Sequence, residues 1–275
     1  MKDFRKRLYE KYHYSAVVLR ELVITDFKLR YQGSYLGILW TVLKPLMLFV
    51  VMFTVFVKFL KFTDGTRTFP LVLLLGIQLW NFFSEATNMG MFAVVSRGDL
   101  MRKVHFPNYI VVVAATVNAL ISLAINLCVI IVFCIAYRVH FTWRALLVPA
   151  GLIELYVLGL GFALLLATLN VYYRDIQHIW EVIMQALFYG IPVIYPLAMA
   201  ANVSPAFAKV ILVNPIAQAI QDVRYLLIDP ENTPTAWNYI NSWPIKMIPI
   251  VLTFAIFAAG FAVFKKHSRK FAEVI

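Results

Sequence analysis

Uncharged polar side chains and one carboxylate recur along two otherwise apolar stretches of the sequence. Their spacing is i, i+3, i+4 and i+7 in residues 69–94 and every fourth residue in 110–137; they are Asn81, Ser84, Glu85, Asn88, Asn118, Ser122 and Asn126. On a helix in lipid, such stripes face other helices or a water-filled cavity. Interhelical hydrogen bonding is sufficient to explain the second stripe, because none of its groups ionises. Glu85 makes the first stripe the stronger candidate for a functional site.

Aromatic rings and one lysine form further stripes at helical spacing. Trp40 and Lys44 share one face, and beyond them come the aromatic positions Phe49, Phe53 and Phe56; later in the chain follow Gln185, Phe188, Tyr189 and Tyr195. Aromatic stripes serve packing or lipid contact, or they form a wall on which sugar rings stack without tight binding. The residues alone leave both alternatives open.

Groups that could perform catalysis or bind a metal do not cluster in the sequence. The five histidines are scattered singly, without the spacing of metal ligands. Asp175 beside Arg174 fits a local ion pair or a helix cap better than a catalytic carboxylate. No Gly-x-x-x-x-Gly-Lys-Ser/Thr motif occurs, so the chain cannot hold ATP phosphates in a P-loop. We expect no catalytic residue, cofactor or metal in this chain.

The elements that carry these residues are membrane helices. Of the 275 residues, 62% are apolar and 14% are charged, against roughly 45–50% and 25% in soluble domains. This composition excludes a soluble globular enzyme, and most apolar runs approach the roughly 20 residues that span a bilayer. The predicted fold class is therefore all-α, a polytopic membrane protein.

Six transmembrane helices are predicted, over about 36–60, 69–94, 107–136, 145–169, 179 to 192 or 196, and 245–264. They form a transmembrane domain of residues 35–265, between a terminal tail, 266–275, and an N-terminal segment, 1–34. The N-terminal segment ends in an amphipathic helix expected in the membrane interface, with its charges off the apolar face: Arg20, Lys28 and Arg30. The proline-rich residues 196–244 are predicted to form short re-entrant helices packed against protein, since unpaired backbone is not tolerated in lipid.

A short helix is predicted in the linker 96–106 between spans 2 and 3. Ser96 followed by Asp99 has the spacing of a capping box, and the helix must end before Pro107. The net charge of +11 is interpreted as membrane orientation, because basic residues flank spans and form no basic soluble domain; no nucleic-acid partner is expected. An excess of Lys and Arg on one side places both termini in the cytoplasm.

Lys44 and Glu85 are predicted to lie at the same depth in the membrane. Each is nine residues from the cytoplasmic end of its span, roughly 13 Å along a helix. An unpaired charge there costs at least about 2.5 kcal/mol, which favours a mutual salt bridge or shared water. The alternative is that Lys44 snorkels to the headgroups or faces a pathway alone.

Residues 26–40 and 44–46 resemble the start of permease subunits of ABC exporters for cell-surface polysaccharides, which include O-antigen and wall teichoic acid exporters. The similarity continues in order through nearly the whole chain, at residues 79–83, 102–107, 173–176, 192–196 and 214–215. Any one of these pieces is weak evidence, but their order together is specific. Residues 106–113 look more like Gram-positive members, which favours teichoic acid, a polyol-phosphate polymer, over an O-antigen-type polysaccharide.

The resemblance implies a homodimer of six-span subunits in the cytoplasmic membrane of a bacterium, bound to two copies of a separate ATPase that holds ATP and Mg²⁺. A lipid-diphosphate-linked polymer would pass along spans 1 and 5, where the aromatic stripes lie. Linker 96–106 would be a coupling helix on the ATPase, and the N-terminal helix would contact membrane lipids. The coupling residues this implies are Arg97, Leu100, Met101, Arg102, Val104, Arg174 and Asp175.

Two other classes of protein compete with this interpretation. A secondary transporter or channel would need a midplane ion site, which Glu85 with Lys44 could supply, but the paired broken helices of such proteins are missing. A membrane-embedded transferase would need His, Asp or Glu side chains converging at one depth, and the scattered histidines argue against it.

Overall fold

The computed structural model describes residues 2–61, 63–104 and 106–274, and the regular elements in these ranges are all helical. In chain order the helices are α1 (Lys2–Tyr31), α2 (Leu39–Met52), α3 (Phe69–Ala93), α4 (Gly98–Lys103), α5 (Tyr109–Ala136), α6 (Val148–Tyr172), α7 (Ile176–Gly190), α8 (Leu197–Val203), α9 (Pro205–Val213), α10 (Pro215–Leu227), α11 (Ala236–Tyr239), α12 (Trp243–His267) and α13 (Phe271–Val274). A π-helical stretch, Phe53–Phe59, continues α2. The all-α prediction is confirmed.

Five helices in the described ranges are long and apolar enough to cross a bilayer: α2 with its π-helical extension, α3, α5, α6 with the turn before it, and α12 with the turn after it. They correspond to predicted spans 1, 2, 3, 4 and 6. Predicted span 5 corresponds to α7, which has 15 residues. This is about 22 Å of helix, against about 30 Å of hydrocarbon. The sixth predicted crossing therefore has no full-length helix of its own.

Helix α3 is the centre of the bundle and packs against both α5 and α6. Every residue from Leu71 to Leu79 is buried. Helix α6 in turn lies very close to α12, since a Cβ atom on Gly260 would be 2.2 Å from the carbonyl oxygen of Gly161. Small residues permit such an approach between membrane helices. The α6–α12 contact is therefore made backbone against backbone.

The proline-rich segment after α7 forms short helices that pack on the bundle, as the sequence predicts. Prolines occupy the first turns of α9 and α10. Their missing N–H groups cost no hydrogen bond there, because N–H groups in the first turn have no acceptor within the helix. Ser204 caps α9, and Asn214 caps α10 by accepting from the Ile216 N–H at 2.9 Å. Helix α10 contacts α3, α6 and α12, so protein shields its backbone. Helices α8 and α11 were not expected from the sequence.

Arg224 of α10 ties three segments of backbone together at this end of the bundle. The residue is 2% exposed, and its guanidinium donates to the carbonyl oxygens of Val72 (2.9 Å), Val193 (2.6 Å) and Pro192. Gly76 leaves room for it, because a Cβ atom there would lie 1.8 Å from Nη2. The non-helical turn after α7 is thereby fixed to α3.

Helix α1 is a single helix of 30 residues that packs along α5. The predicted interface helix therefore also contacts the bundle, where Leu22 packs against a buried cluster. Arg20 and Lys28 are exposed, which is compatible with the predicted contact with lipid headgroups. The chain reverses into α2 through two glycines with positive φ, Gly33 (75°) and Gly37 (51°).

Candidate functional site

A cavity of about 820 Å³ lies between the end of α1, α2, α3 and α5. The two polar stripes of the sequence meet in it, with Asn81, Ser84 and Glu85 from α3 and Ser122 and Asn126 from α5. Of the two alternatives left open by the sequence, packing between helices or a cavity, these five residues take the second, whereas Asn88 and Asn118 do not line this cavity. A concave site of this size with a few convergent polar groups is typical of ligand binding.

Glu85 forms an ion pair with Arg30 of α1. The same Arg30 nitrogen, Nη1, donates to the hydroxyl of Ser122 at 3.1 Å, and this hydroxyl lies 3.5 Å from the Glu85 carboxylate. A carboxylate inside a membrane protein is costly unless a cation compensates its charge. The sequence placed Arg30 at the lipid interface and missed this contact with Glu85.

Lys44 lines the same cavity but does not make the predicted salt bridge with Glu85. Its side chain is exposed, and in the described ranges the structure records no hydrogen bond or ion pair of its ammonium group. The salt-bridge prediction was wrong because position along a helix gives the depth of a residue but does not say which neighbour reaches it; shared water between the two residues stays a prediction. Since two cations and one carboxylate face the cavity, one positive charge is left over, which suits an anionic ligand.

We expect a double-mutant cycle of Arg30→Met and Glu85→Gln to give a coupling of about 0.5–3 kcal/mol in the free energy of unfolding. Each single change leaves one charge unpaired in the cavity wall, whereas the double change removes both charges. The measurement is the unfolding midpoint of the purified protein in detergent. The cycle of Lys44→Met with Glu85→Gln is the control and should be additive. A larger coupling for Lys44 than for Arg30 would contradict the assigned pair.

A second ion pair connects α1 to the linker before α4. Asp26, one turn before Arg30, pairs with Arg97, and the amide of Asn118 on α5 donates to Asp26 at 3.4 Å. Arg97 ends the 3₁₀ turn that leads into α4. Helix α1 therefore bridges the cavity and the linker. Asp26 was not among the predicted site residues, although the sequence contains a usable signal: an acid, Asp26, lies one turn before a base, Arg30, on an amphipathic helix.

The linker helix is shorter than predicted and lacks the predicted cap. Helix α4 has six residues, and the chain is already extended at Val104. The Ser96 hydroxyl donates to the carbonyl oxygen of Ala93 at 3.3 Å and caps no N–H group. The capping-box prediction is wrong because a 3₁₀ turn joins α3 to α4 and removes the free helix N-terminus that a cap requires.

Of the predicted coupling residues, the apolar ones on and after α4 are half-buried, and Arg102, Arg174 and Asp175 are exposed. Leu100, Met101 and Val104 are half-buried. Met101 packs against a cluster that includes Phe264 and Phe271, so part of this apolar surface is covered from within the chain. The exposed charged residues are Asp99, Arg102 and Lys103 on α4 and Arg174 and Asp175 before α7.

The predicted pathway residues on α2 and its extension fall on two sides. Trp40 lines the cavity with Lys44. Phe49, Phe53 and Phe56 are half-buried against the core of the bundle, and the rings of the first two lie 5.8 Å apart. Packing, one of the two alternatives from the sequence, describes this stripe in the single chain. Its role in a pathway stays a prediction.

The predicted pathway residues on α7 are mostly exposed. Phe188 packs 5.6 Å from Trp80, ring centre to ring centre, while Gln185 is exposed and Tyr189 is 57% exposed. The Tyr195 hydroxyl donates to the last carbonyl of α7 at 3.3 Å. Helix α7 thus presents a polar and aromatic face outward from the chain.

The part of the sequence that is similar to known proteins includes the whole of this site. Residues 18–228 match the sequence model of the family described as ABC-2 type transporter. The chain is 29% identical over 269 residues to an O-antigen export system permease protein of Myxococcus xanthus, covering 97% of this chain and 98% of the relative. It is 25% identical over 261 residues to an O-antigen export system permease protein of Klebsiella pneumoniae, covering 92% and 94%. All cavity residues lie inside the matched range.

Proposed function

The chain belongs to the ABC-2 type transporter family, as a permease of the polysaccharide-export type, and from this premise we propose that it moves a lipid-diphosphate-linked cell-surface polymer across the cytoplasmic membrane of a bacterium. Family membership implies an ABC ATPase as its partner in the export system. In this proposal two ATPase copies bind ATP and Mg²⁺ and work on two copies of this chain.

The observation that carries the proposal is the surplus positive charge of the cavity beside α2. The cavity combines the ammonium group of Lys44 with the indole of Trp40 and the amide groups of Gln78, Asn81 and Asn126. A diphosphate supplies the complementary charge, and a sugar ring can stack on the indole. The competing secondary transporter needs a midplane ion site, for which Glu85 with Lys44 was the candidate, and the Glu85 carboxylate forms its ion pair with Arg30 instead.

Two polymers are candidates for the transported substrate. The named relatives are O-antigen export permeases, which favours an O-antigen-type polysaccharide. Wall teichoic acid, which the sequence favoured, is the second candidate. It is supported by Lys58 and Lys61 near the far end of the extended α2, because a polyol-phosphate chain is anionic.

The exposed surfaces support the proposed partners. We place the α4 end and both termini in the cytoplasm, where the exposed charges of α4 and of the link before α7 would contact the ATPase. Helices α2 and α7 both direct large apolar side chains away from the chain, which supports a second copy packing there; they include Leu39, Leu43 and Val50 on α2, and Ile179, Val182 and Ile183 on α7.

We expect ATP-driven export in proteoliposomes only when this chain is reconstituted with its ABC ATPase, because the chain has no P-loop.

Lys44→Met should lower the export rate per folded complex by about tenfold, which is the effect of losing one charged contact of roughly 1.5 kcal/mol. The measurement compares carrier lipids that bear an O-antigen-type glycan with carriers that bear a polyol-phosphate chain.

Lys209→Met is the matched control, since Lys209 is an exposed lysine on α9 outside the cavity. Its export rate should equal that of the unmodified chain. Export by the permease alone would contradict the requirement for the ATPase. Equal rates for the Lys44→Met and Lys209→Met proteins would contradict the role of the cavity. The better-transported carrier decides between the two polymers.

A further inference from the structure

The chain turns back onto the linker helix α4 after the last long helix. Helix α12 ends at His267, a 3₁₀ turn covers Ser268–Lys270, and α13 begins at Phe271. Helix α13 contacts both α4 and α6. Residues 268–271, which we call the tail turn, therefore cross the end of the bundle at which α4 lies.

Phe271 fixes the tail turn to the bundle. Its side chain is 0% exposed, and its ring lies 5.2 Å from that of Phe264 on α12, centre to centre. Met101 of α4 packs against the buried cluster that contains both rings. A helix of six residues such as α4 is not stable by itself. The position of α4 therefore depends on contacts of this kind.

A hydrogen bond attaches the tail turn to the other end of the linker. The side-chain amide of Asn108, the residue directly before α5, donates to the carbonyl oxygen of Ser268 at 2.8 Å. The contact between α13 and α4 and this hydrogen bond therefore hold the linker between α3 and α5 at two points.

Exposed cations surround this contact. They lie on the last turn of α12, on the tail turn and on α4: Lys265, Lys266, Arg269, Lys270, Arg102 and Lys103. Helix α4 sets one exposed acid, Asp99, against them. Among the described residues, the structure records no ion pair for any of the six cations. A surface with this surplus of positive charge attracts an acidic partner.

The position of these cations favours a protein over lipid headgroups. Basic residues next to a span commonly contact anionic lipid, which surrounds the sides of a bundle. The tail turn instead crosses the end of the bundle, and the chain after it packs on α4. The ABC ATPase that family membership implies is proposed above to contact this same end. The acidic partner is therefore assigned to the ATPase.

We propose that the tail turn and α4 form one docking surface, which binds an acidic region of the ABC ATPase. In this surface Arg269 and Lys270 contact the partner. Phe271 is a positioning residue, because it is buried within the chain and helps to hold α4 in the orientation that the ATPase binds. This inference rests on the ATPase partner of the proposed function and adds the tail turn, which lies outside the linker, to the binding surface.

The test is the affinity of the purified permease, in nanodiscs of zwitterionic lipid, for the ABC ATPase of its export system. Arg269→Glu together with Lys270→Glu should weaken binding by at least about tenfold, because like charges then oppose each other. The matched control reverses two exposed cations at the opposite end of the bundle, Arg138→Glu together with Lys209→Glu. This control protein should bind the ATPase like the unmodified chain.

Phe271→Ala tests the positioning role. It should weaken ATPase binding by roughly tenfold and speed hydrogen–deuterium exchange of the α4 amides, residues 98–103, since α4 loses part of its packing. Phe271→Leu keeps most of the apolar volume and should restore both the affinity and the exchange rate. If Phe271→Ala does not fold, the charge reversal at the exposed positions decides the proposal by itself.

Three results would overturn the docking surface. The first is equal ATPase affinity of the two charge-reversed proteins. The second is a loss of affinity that requires anionic lipid in the nanodisc and is absent in zwitterionic lipid, since the cations would then bind headgroups. The third is no binding of the ATPase by the unmodified permease, which would contradict the partner in the proposed function as well; the first two leave that partner standing.

Discussion

Arg224→Met is expected to remove most of the folded protein. Methionine keeps the length of the side chain but donates no hydrogen bond, so the buried carbonyl oxygens of Val72, Val193 and Pro192 lose a partner. Each buried acceptor left unsatisfied costs about 1–3 kcal/mol, so the loss exceeds about 3 kcal/mol against total stabilities of about 5–15 kcal/mol. The measurements are the yield of monodisperse protein after detergent extraction and its unfolding midpoint.

Arg224→Lys should rescue little, because a single ammonium cannot reproduce the directions of a guanidinium fork. Gly76→Ala should act like Arg224→Met, since the added Cβ would lie 1.8 Å from the guanidinium. Lys209→Met, at an exposed position on neighbouring α9, is the control and should stay within about 0.5 kcal/mol of the unmodified chain. If the Arg224→Met and Lys209→Met proteins unfold at the same temperature, Arg224 does not fix the turn after α7.

Gly260→Ala is expected to force α6 and α12 apart. The added Cβ would lie 2.2 Å from the carbonyl oxygen of Gly161, and this atom cannot move away by a change of rotamer because it belongs to the backbone. Overpacking of this kind costs about 1–3 kcal/mol or more. Gly161→Ala should have a similar effect, since its Cβ would meet the backbone of Phe257 at 2.7 Å. The measurement is the unfolding midpoint of purified protein.

Gly190→Ala is the matched control for these two changes. A Cβ atom at Gly190 meets no atom within 4 Å, and the residue lies at the end of α7. We expect its unfolding midpoint to match that of the unmodified protein or to rise slightly, because alanine restricts the unfolded chain. A Gly260→Ala protein as stable as the Gly190→Ala protein would show that α6 and α12 tolerate separation, against the close contact described here.

Spacing along single helices was sufficient to predict which side chains share the candidate site. Asn81, Ser84 and Glu85 face the cavity because residues three and four apart lie on one side of a helix. The partner of Glu85 could not be predicted in this way. Its charge is compensated by Arg30, 55 residues earlier in the chain, and only the packing of α1 along α5 brings the two together.

The aromatic stripe and the predicted cap at Ser96 also show what spacing along one segment can and cannot predict. The i, i+4, i+7 spacing places Phe49, Phe53 and Phe56 on one helical face, but the packing of α2 against the bundle turned that face to the core. Ser96 has the spacing of a cap, but the 3₁₀ turn after α3 directs its hydroxyl to the Ala93 carbonyl. A contact between helices decided the role of the aromatic stripe, whereas a local 3₁₀ turn removed the cap that the spacing of Ser96 predicts.

By itself the sequence determined the helical class, five of the six predicted membrane spans, and helices α9 and α10 of the proline-rich segment. Those properties depend on composition and on local rules of hydrophobic length, proline and helical period, which act within one segment. The resemblance to polysaccharide permeases depends instead on short sequence pieces that occur in a specific order. The tertiary structure alone decided that Arg224 is buried and ties α10 to α3 and to the turn after α7. The sequence does not show whether a given charged residue is buried, because burial depends on the segments that pack around that residue.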